Sequence, residues 1–205
     1  MQLGDNRIVP VVVIERADRA AGLGEALVAG GIPVAEVTLR TAAGIDAIAA
    51  MAENSDLLMG AGTVLTADQV DRAVDAGARF IVSPGLNPRV VERALARGVD
   101  VVPGTVTPSE IMAALELGLT TLKFFSADVY GGVKALKALG APFGGVRFIP
   151  TGGVSAANIA EYLALPNVAA VGGSWMVPSA AIDAGDFDTV RHLCASAVAA
   201  MNAEF

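Results

Sequence analysis

Short apolar runs alternate with alanine-rich segments that carry charges at helical spacing, and the alternation continues from Ile8 to the end of the chain. Runs this short suit buried strands, and the charged segments suit helices that cover them, so the pattern is that of repeated βα units. The strand candidates are Ile8–Ile14, Val34–Leu39, Leu57–Gly60, Arg79–Val82, Asp100–Val102, Thr121–Phe125, Arg147–Pro150 and Val168–Val171. Helix starts are signalled by Thr66, Thr107 and Ser155, whose hydroxyls can accept from the first free backbone N–H groups. Helix ends are signalled by Gly77, Gly98 and Gly118, where a left-handed residue closes the last turn. Eight such units predict a (β/α)8 TIM barrel, at the short end of the length range for that fold. A doubly wound open sheet is the competing α/β solution. It fits less well, because no Gly-x-Gly-x-x-Gly follows the first strand and the glycine-rich turns follow strands seven and eight. No linker interrupts the pattern, so residues 1–205 are expected to form a single domain. Few residues precede the first strand, and the last helix, roughly Asp186 to Asn202, is a candidate to plug the barrel floor.

The apolar fraction of 54% excludes general disorder, and its surplus is consistent with self-association. The net charge of -7, with no cluster of lysine and arginine, argues against nucleic acid or an anionic membrane as partner. Ile8–Ile14 is too short to span a bilayer and is soon followed by Glu15 and Arg16, with no basic leader before it; a cytoplasmic location is expected. The single cysteine, Cys194, has no internal disulfide partner and lies in an alanine-rich helical stretch, where core packing is expected.

The chain has three lysines, and one of them, Lys123, stands inside the apolar run Leu122-Lys123-Phe124-Phe125. Lys134 and Lys137 lie three apart in a helical segment and are read as solvated. A buried ammonium loses hydration, so Lys123 is paired, reaches to solvent at the strand end, or serves as a nucleophilic amine that forms Schiff bases. The period of two puts Thr121, Lys123 and Phe125 on one face of their strand. It likewise puts Glu36, Thr38 and Arg40 on one face of strand two, opposite Ala35, Val37 and Leu39. In a barrel those polar faces meet in the lumen near the C-terminal mouth. Lys123 then sits near Arg40, which with desolvation pushes the ammonium toward neutrality, and Glu36 is placed to move protons. A buried Glu36–Arg40 ion pair with no chemical role is the alternative.

Two further stretches point to an anion. Pro150-Thr151-Gly152-Gly153-Val154 and Val171-Gly172-Gly173-Ser174-Trp175 follow strands seven and eight, where barrels commonly hold a phosphate through backbone N–H groups. Gly60-Ala61-Gly62-Thr63, Ser83-Pro84-Gly85 and Pro103-Gly104-Thr105 complete the mouth. Thr63 either donates to a ligand oxygen or caps the next turn. No metal is expected: His192 is the only histidine and lies in the terminal helix, and no Cys/His set has ligand spacing.

Glu36-Val37-Thr38-Leu39-Arg40-Thr41, Gly60-Ala61-Gly62-Thr63-Val64, Ser83-Pro84-Gly85, Leu122-Lys123-Phe124-Phe125, Pro150-Thr151-Gly152-Gly153 and Gly172-Gly173-Ser174-Trp175 together resemble the bacterial 2-keto-3-deoxy-6-phosphogluconate aldolases and the related 4-hydroxy-2-oxoglutarate aldolases. The resemblance runs in order from about Ile8 to the C-terminus. It implies a trimeric (β/α)8 barrel and a class I aldolase with no metal or other cofactor. The implied reaction splits the phosphorylated keto acid into pyruvate and glyceraldehyde 3-phosphate in the Entner–Doudoroff pathway. By resemblance, Lys123 is the Schiff-base lysine and Glu36 the general acid/base, while Arg40 and Thr63 hold the pyruvyl carboxylate. Gly152, Gly153, Gly173 and Ser174 resemble a phosphate site, Thr151 lies near substrate hydroxyls, and Phe125 and Pro84 line the pocket. Two departures stand out. The family commonly has proline after Lys-Phe-Phe, where this chain has Ser126-Ala127-Asp128, and most of an N-terminal helix is missing. Rival readings are an aldolase for the galactonate epimer or for 4-hydroxy-2-oxoglutarate, a phosphate-binding isomerase or epimerase barrel, and a non-catalytic phospho-sugar-binding barrel.

Overall fold

The computed structural model describes residues 6–202. Residues 1–5, on which the expectation about the barrel floor partly rested, and 203–205 lie outside the described residues. Eight parallel strands close into a barrel in chain order: β1 (Ile8–Val12), β2 (Val34–Thr38), β3 (Leu58–Gly62), β4 (Phe80–Ser83), β5 (Asp100–Thr105), β6 (Thr121–Phe125), β7 (Arg147–Thr151) and β8 (Val171–Gly173). The covering helices are α1 (Ala20–Ala29), α2 (Gly44–Ala52), α3 (Ala67–Asp75), α4 (Pro88–Ala96), α5 (Pro108–Glu116), α6 (Gly132–Gly140), α7 (Ile159–Leu163), α8 (Ser179–Ala184) and α9 (Phe187–Asn202). The (β/α)8 expectation holds, and β6 spans the residues that periodicity assigned to it.

Local chemistry accounts for where elements begin. Thr66 and Thr107 cap α3 and α5 through reciprocal capping boxes with Gln69 and Glu110. Ser155 does not start a helix as expected. Its N–H donates to Asn158 Oδ1 at 2.8 Å while Asn158 Nδ2 donates to the Gly153 carbonyl at 2.9 Å, so residues 155–158 are knitted into turns and α7 begins at Ile159. Strand eight also starts later than expected. Val168 forms only an isolated bridge with Phe148: Pro150 has no N–H to extend the ladder, and the Arg7 guanidinium donates to the carbonyls of Val168 and Ala169 at 2.9 and 3.2 Å.

The core has two layers. Outside the strands, Phe124 and Phe148 meet edge to face with centroids 6.3 Å apart beneath the helices. Inside the barrel, the Phe80 ring lies across Gly60, whose missing side chain leaves it room, and Val9, Val82, Val102 and Ile149 surround it. This apolar layer closes the lumen below the mouth.

The terminal helix does not plug the floor. α9 packs beside α1, α7 and α8 in the outer layer; the Phe187 ring fills the space next to Gly22, and a methyl placed on Gly30 would lie 2.5 Å from Cys194 Cβ. Its helical period faces Val190, Cys194, Ala197 and Met201 inward and leaves His192 exposed, so its apolar stripe matches a helix neighbour and not a barrel end. Lys134 and Lys137 are exposed on α6. Among the described residues no helix is long and apolar enough to cross a membrane.

Cys194 is fully buried, and burial pushes its thiol from 9.0 up to about 12. The native state therefore holds this proton more tightly than the unfolded chain. The contribution to stability is complete below about pH 9 and is lost as pH rises toward 12. Mass spectrometry after iodoacetamide treatment at pH 8 is expected to find Cys194 unmodified in the native protein and stoichiometrically alkylated in urea; rapid native labelling would contradict the packing of α9 on α1.

Candidate active site

Register across the barrel follows side-chain parity. Val11 pairs with Glu36, Glu36 with Gly60, Gly104 with Lys123, and Lys123 with Ile149, so Glu36 and Lys123 point into the lumen from β2 and β6 on opposite sides. Their residues are 3% and 6% exposed. Lys123 Nζ donates to Glu36 Oε1 at 3.2 Å across the lumen, and it stands 5.3 Å from the centroid of the Phe125 ring. The position of Glu36 depends on Gly62, because any side chain there would collide with the glutamate. Ion pair and ring together give the ammonium partners in a place with little water.

This arrangement decides between the sequence readings. Glu36 pairs with Lys123 and not with Arg40, and Lys123 does not escape to solvent. β2 ends at Thr38 and the chain turns, so Arg40 is exposed at the mouth of the cavity that Lys123 also lines. Thr38 keeps the inward face that periodicity assigned to it, but its hydroxyl donates to the Val12 carbonyl at 2.9 Å and ties β2 to β1.

The distal wall is backbone. The carbonyls of Thr151 and Gly152 accept from the N–H groups of Ala127 and Asp128 at 2.8 and 3.2 Å, and the Gly153 carbonyl accepts from Asn158. In a trans peptide the N–H lies opposite the C=O, so the amides of Gly152, Gly153 and Val154 are directed away from those donors. Gly152 and Gly153 take φ of 95° and 74°, conformations that an L side chain rarely adopts. Thr63 is the one non-glycine with positive φ among the described residues, at 58°, and the tight turn at the end of β3 turns it into the same space.

All eleven residues singled out from sequence share one cavity of about 330 Å³ at the C-terminal ends of the strands: Glu36, Arg40, Thr63, Pro84, Lys123, Phe125, Thr151, Gly152, Gly153, Gly173 and Ser174. Val11 and Val154 complete its lining and were missed. Val11 lies in a run that is apolar at every position, so only its register with Glu36 marks it as inward. Val154 carries no chemical signal beyond its place after the glycine pair. Among the described residues, no group of three or more His, Cys, Asp or Glu side chains is placed to hold a metal ion.

Fold and cavity together define the class: a (β/α)8 barrel with an amine and a carboxylate buried in contact at the mouth where such barrels carry their chemistry. The family model for KDPG and KHG aldolase matches residues 1–193, and the chain belongs to that family. It is 50% identical over 188 residues to a 2-dehydro-3-deoxy-phosphogluconate aldolase of Treponema pallidum, covering 91% of this chain and 90% of that one. The KDPG aldolase of Legionella pneumophila, solved with pyruvate captured as a covalent carbinolamine intermediate, superposes with a TM-score of 0.90 at 43% identity over 93% of each chain. The 2-keto-3-deoxy-6-phosphogluconate aldolase of Zymomonas mobilis, solved with 3-phosphoglycerate, gives a TM-score of 0.90 at 42% identity and covers 97% of this chain and 94% of that one.

A buried pair is costly to break from one side, because the remaining charge is left without a partner. Glu36→Leu and Lys123→Met are each expected to lower unfolding free energy by about 1–3 kcal/mol, the cost of leaving one buried polar group unpaired and less than for a fully enclosed ion pair, because the cavity opens to solvent. The double variant is expected to recover most of the loss. Urea titration of the four proteins checks this, and additive losses would contradict it.

Proposed function

We propose that this protein is a class I aldolase that cleaves 2-keto-3-deoxy-6-phosphogluconate to pyruvate and glyceraldehyde 3-phosphate, with Lys123 as the Schiff-base lysine. The observation that carries the reading is the 3.2 Å contact between Lys123 Nζ and Glu36 Oε1 inside the cavity. An amine attacks a ketone only after giving up a proton, and the glutamate oxygen is within reach to take it. Attack on C2 of the keto acid forms a carbinolamine, and a proton returned from Glu36 lets its hydroxyl leave as water. The protonated imine then draws electrons from the C3–C4 bond as Glu36 accepts the C4 hydroxyl proton. The aldehyde departs, the enamine left on Lys123 is protonated at C3, and water releases pyruvate and the free amine. The Legionella relative holding pyruvate as a carbinolamine supports the first step.

Arg40 and Thr63 are assigned to the pyruvyl carboxylate, and Thr151 to the substrate hydroxyls. Phe125 and Pro84 wall the reacting carbon from water. The amides around Gly152, Gly153, Gly173 and Ser174 are assigned to the phosphate, a role that suits a chain of net charge -7 because backbone dipoles need no added cation. Cleavage of 4-hydroxy-2-oxoglutarate in the same cavity is a second reading, favoured because the matching family model covers both substrates. The protein is assigned to the cytoplasm. A homotrimer is proposed as well, supported by exposed apolar side chains such as Met112, Leu115, Val129 and Tyr130. Light scattering after size exclusion is expected to give three times the monomer mass, and a monomer would remove that part of the reading.

Incubation with pyruvate and borohydride, followed by peptide mapping, is expected to find one reduced pyruvyl adduct, on Lys123. Lys123→Ala abolishes both adduct and cleavage, while Glu36→Gln slows turnover by about 10²–10⁴-fold. An absent adduct in a folded protein that still binds phosphate esters would leave a binding barrel in place of an aldolase.

A further inference from the structure

The loop after β6 departs from the family pattern at Ser126, and its neighbours have a role that the reaction above does not use. Ser126 Oγ donates to Asp128 Oδ1 at 3.0 Å, and the Val129 N–H donates to the same oxygen at 2.8 Å. Both bonds hold the carboxylate in one orientation and occupy Oδ1, leaving Oδ2 toward the β7–α7 loop. A methyl group placed on Gly153 would lie 2.7 Å from Asp128 Oδ2, and one on Gly152 would collide with Ser126 Oγ. The two residues are thus packed directly behind the glycine pair. Of the cavity-lining residues only Arg40 and Lys123 are cationic, and they stand on the β2–α2 turn and on β6, so neither belongs to the loops after β7 and β8. The charged side chain set against Gly153 is an acid.

We infer that Asp128, oriented by Ser126, is a specificity-determining residue that opposes the charge of a phosphorylated ligand at the distal loop and so hastens release of the phosphorylated product. The inference rests on the phosphate assignment of Gly152 and Gly153. A dianion held by the amides of that loop feels the carboxylate behind it through a mixed solvent and protein medium, where repulsion is modest and screened by salt. A ligand without phosphate does not feel it. Ser126 is a positioning residue: Asp128 is exposed, and without the serine hydroxyl only the Val129 N–H holds its carboxylate against the loop.

The test is calorimetric titration of wild type, Asp128→Asn and Ser126→Ala with 3-phosphoglycerate at low and high salt, alongside borohydride trapping of pyruvate on each. Asparagine keeps the acceptor used by Ser126 and Val129 and removes only the charge. Asp128→Asn is expected to bind 3-phosphoglycerate about threefold tighter at low salt, with the gain fading at high salt. Ser126→Ala is expected to show a smaller gain of the same sign, and pyruvate trapping is expected to be unchanged in both. Tightening that survives high salt, or an equal change in pyruvate trapping, would mean that the loop has moved, and it overturns the inference. Weaker binding in Asp128→Asn overturns it too, since the carboxylate would then be supporting the loop. Wild-type binding with no gain in Asp128→Asn removes this inference alone; no binding by any of the three removes the phosphate assignment and the inference with it.

Discussion

The Lys123–Glu36 contact across the lumen is the constraint to which the rest of the barrel is fitted. Two opposite charges buried from most solvent contact are stable only in each other's company, and only if nothing else occupies the volume their side chains need. β3 meets that need by carrying glycine at the two inward positions nearest the mouth. Gly62 makes room for Glu36, and Gly60 makes room for the Phe80 ring that seals the lumen beneath the pair. The same low-dielectric setting that makes the pair costly makes it useful, because proton transfer between carboxylate and amine needs no bulk water to relay it.

The cavity divides its chemistry between side chains and backbone. On the β2 and β6 sides, Glu36, Lys123 and Arg40 supply titratable and charged groups. On the β7 and β8 sides, three glycines present main chain, and the loop after β6 takes up the carbonyls of Thr151 and Gly152 so that the amides face the other way. The loop carrying Ser126 and Asp128 is therefore structural support for the distal wall and a source of charge beside it.

Much of this was legible in the chain because the signals were periodic or local. Period two identified the inward faces of β2 and β6 without reference to any neighbour, and capping chemistry located α3 and α5 through Thr66 and Thr107. Where a local signal met a distant competitor, the competitor prevailed. Ser155 looks like a helix cap, but Asn158 engages its N–H and the Gly153 carbonyl and delays α7. Val168 looks like the start of a strand, but Pro150 across from it has no N–H to continue the ladder, and Arg7, more than 160 residues earlier in the chain, takes the Val168 carbonyl. Val11 was invisible because every residue around it is apolar, and only its partner across β1 and β2 reveals which face it shows.

Local patterns in the chain account for the architecture and for which residues reach the cavity: eight βα units, an amine and an acid on inward faces, and glycine pairs after the last two strands. Those follow from hydrophobic period and backbone permissiveness, which are properties of short stretches of chain. Only the tertiary structure decided which charges meet. Glu36 faces Lys123 because closure of the barrel brings β2 opposite β6, while Arg40, two residues past the end of its strand, is carried out to the mouth. It also decided that the last helix lies beside α1 instead of under the barrel, since an apolar stripe specifies that a helix must be covered and not by what. Pairing across a closed sheet is a long-range geometric outcome, and no local pattern encodes it.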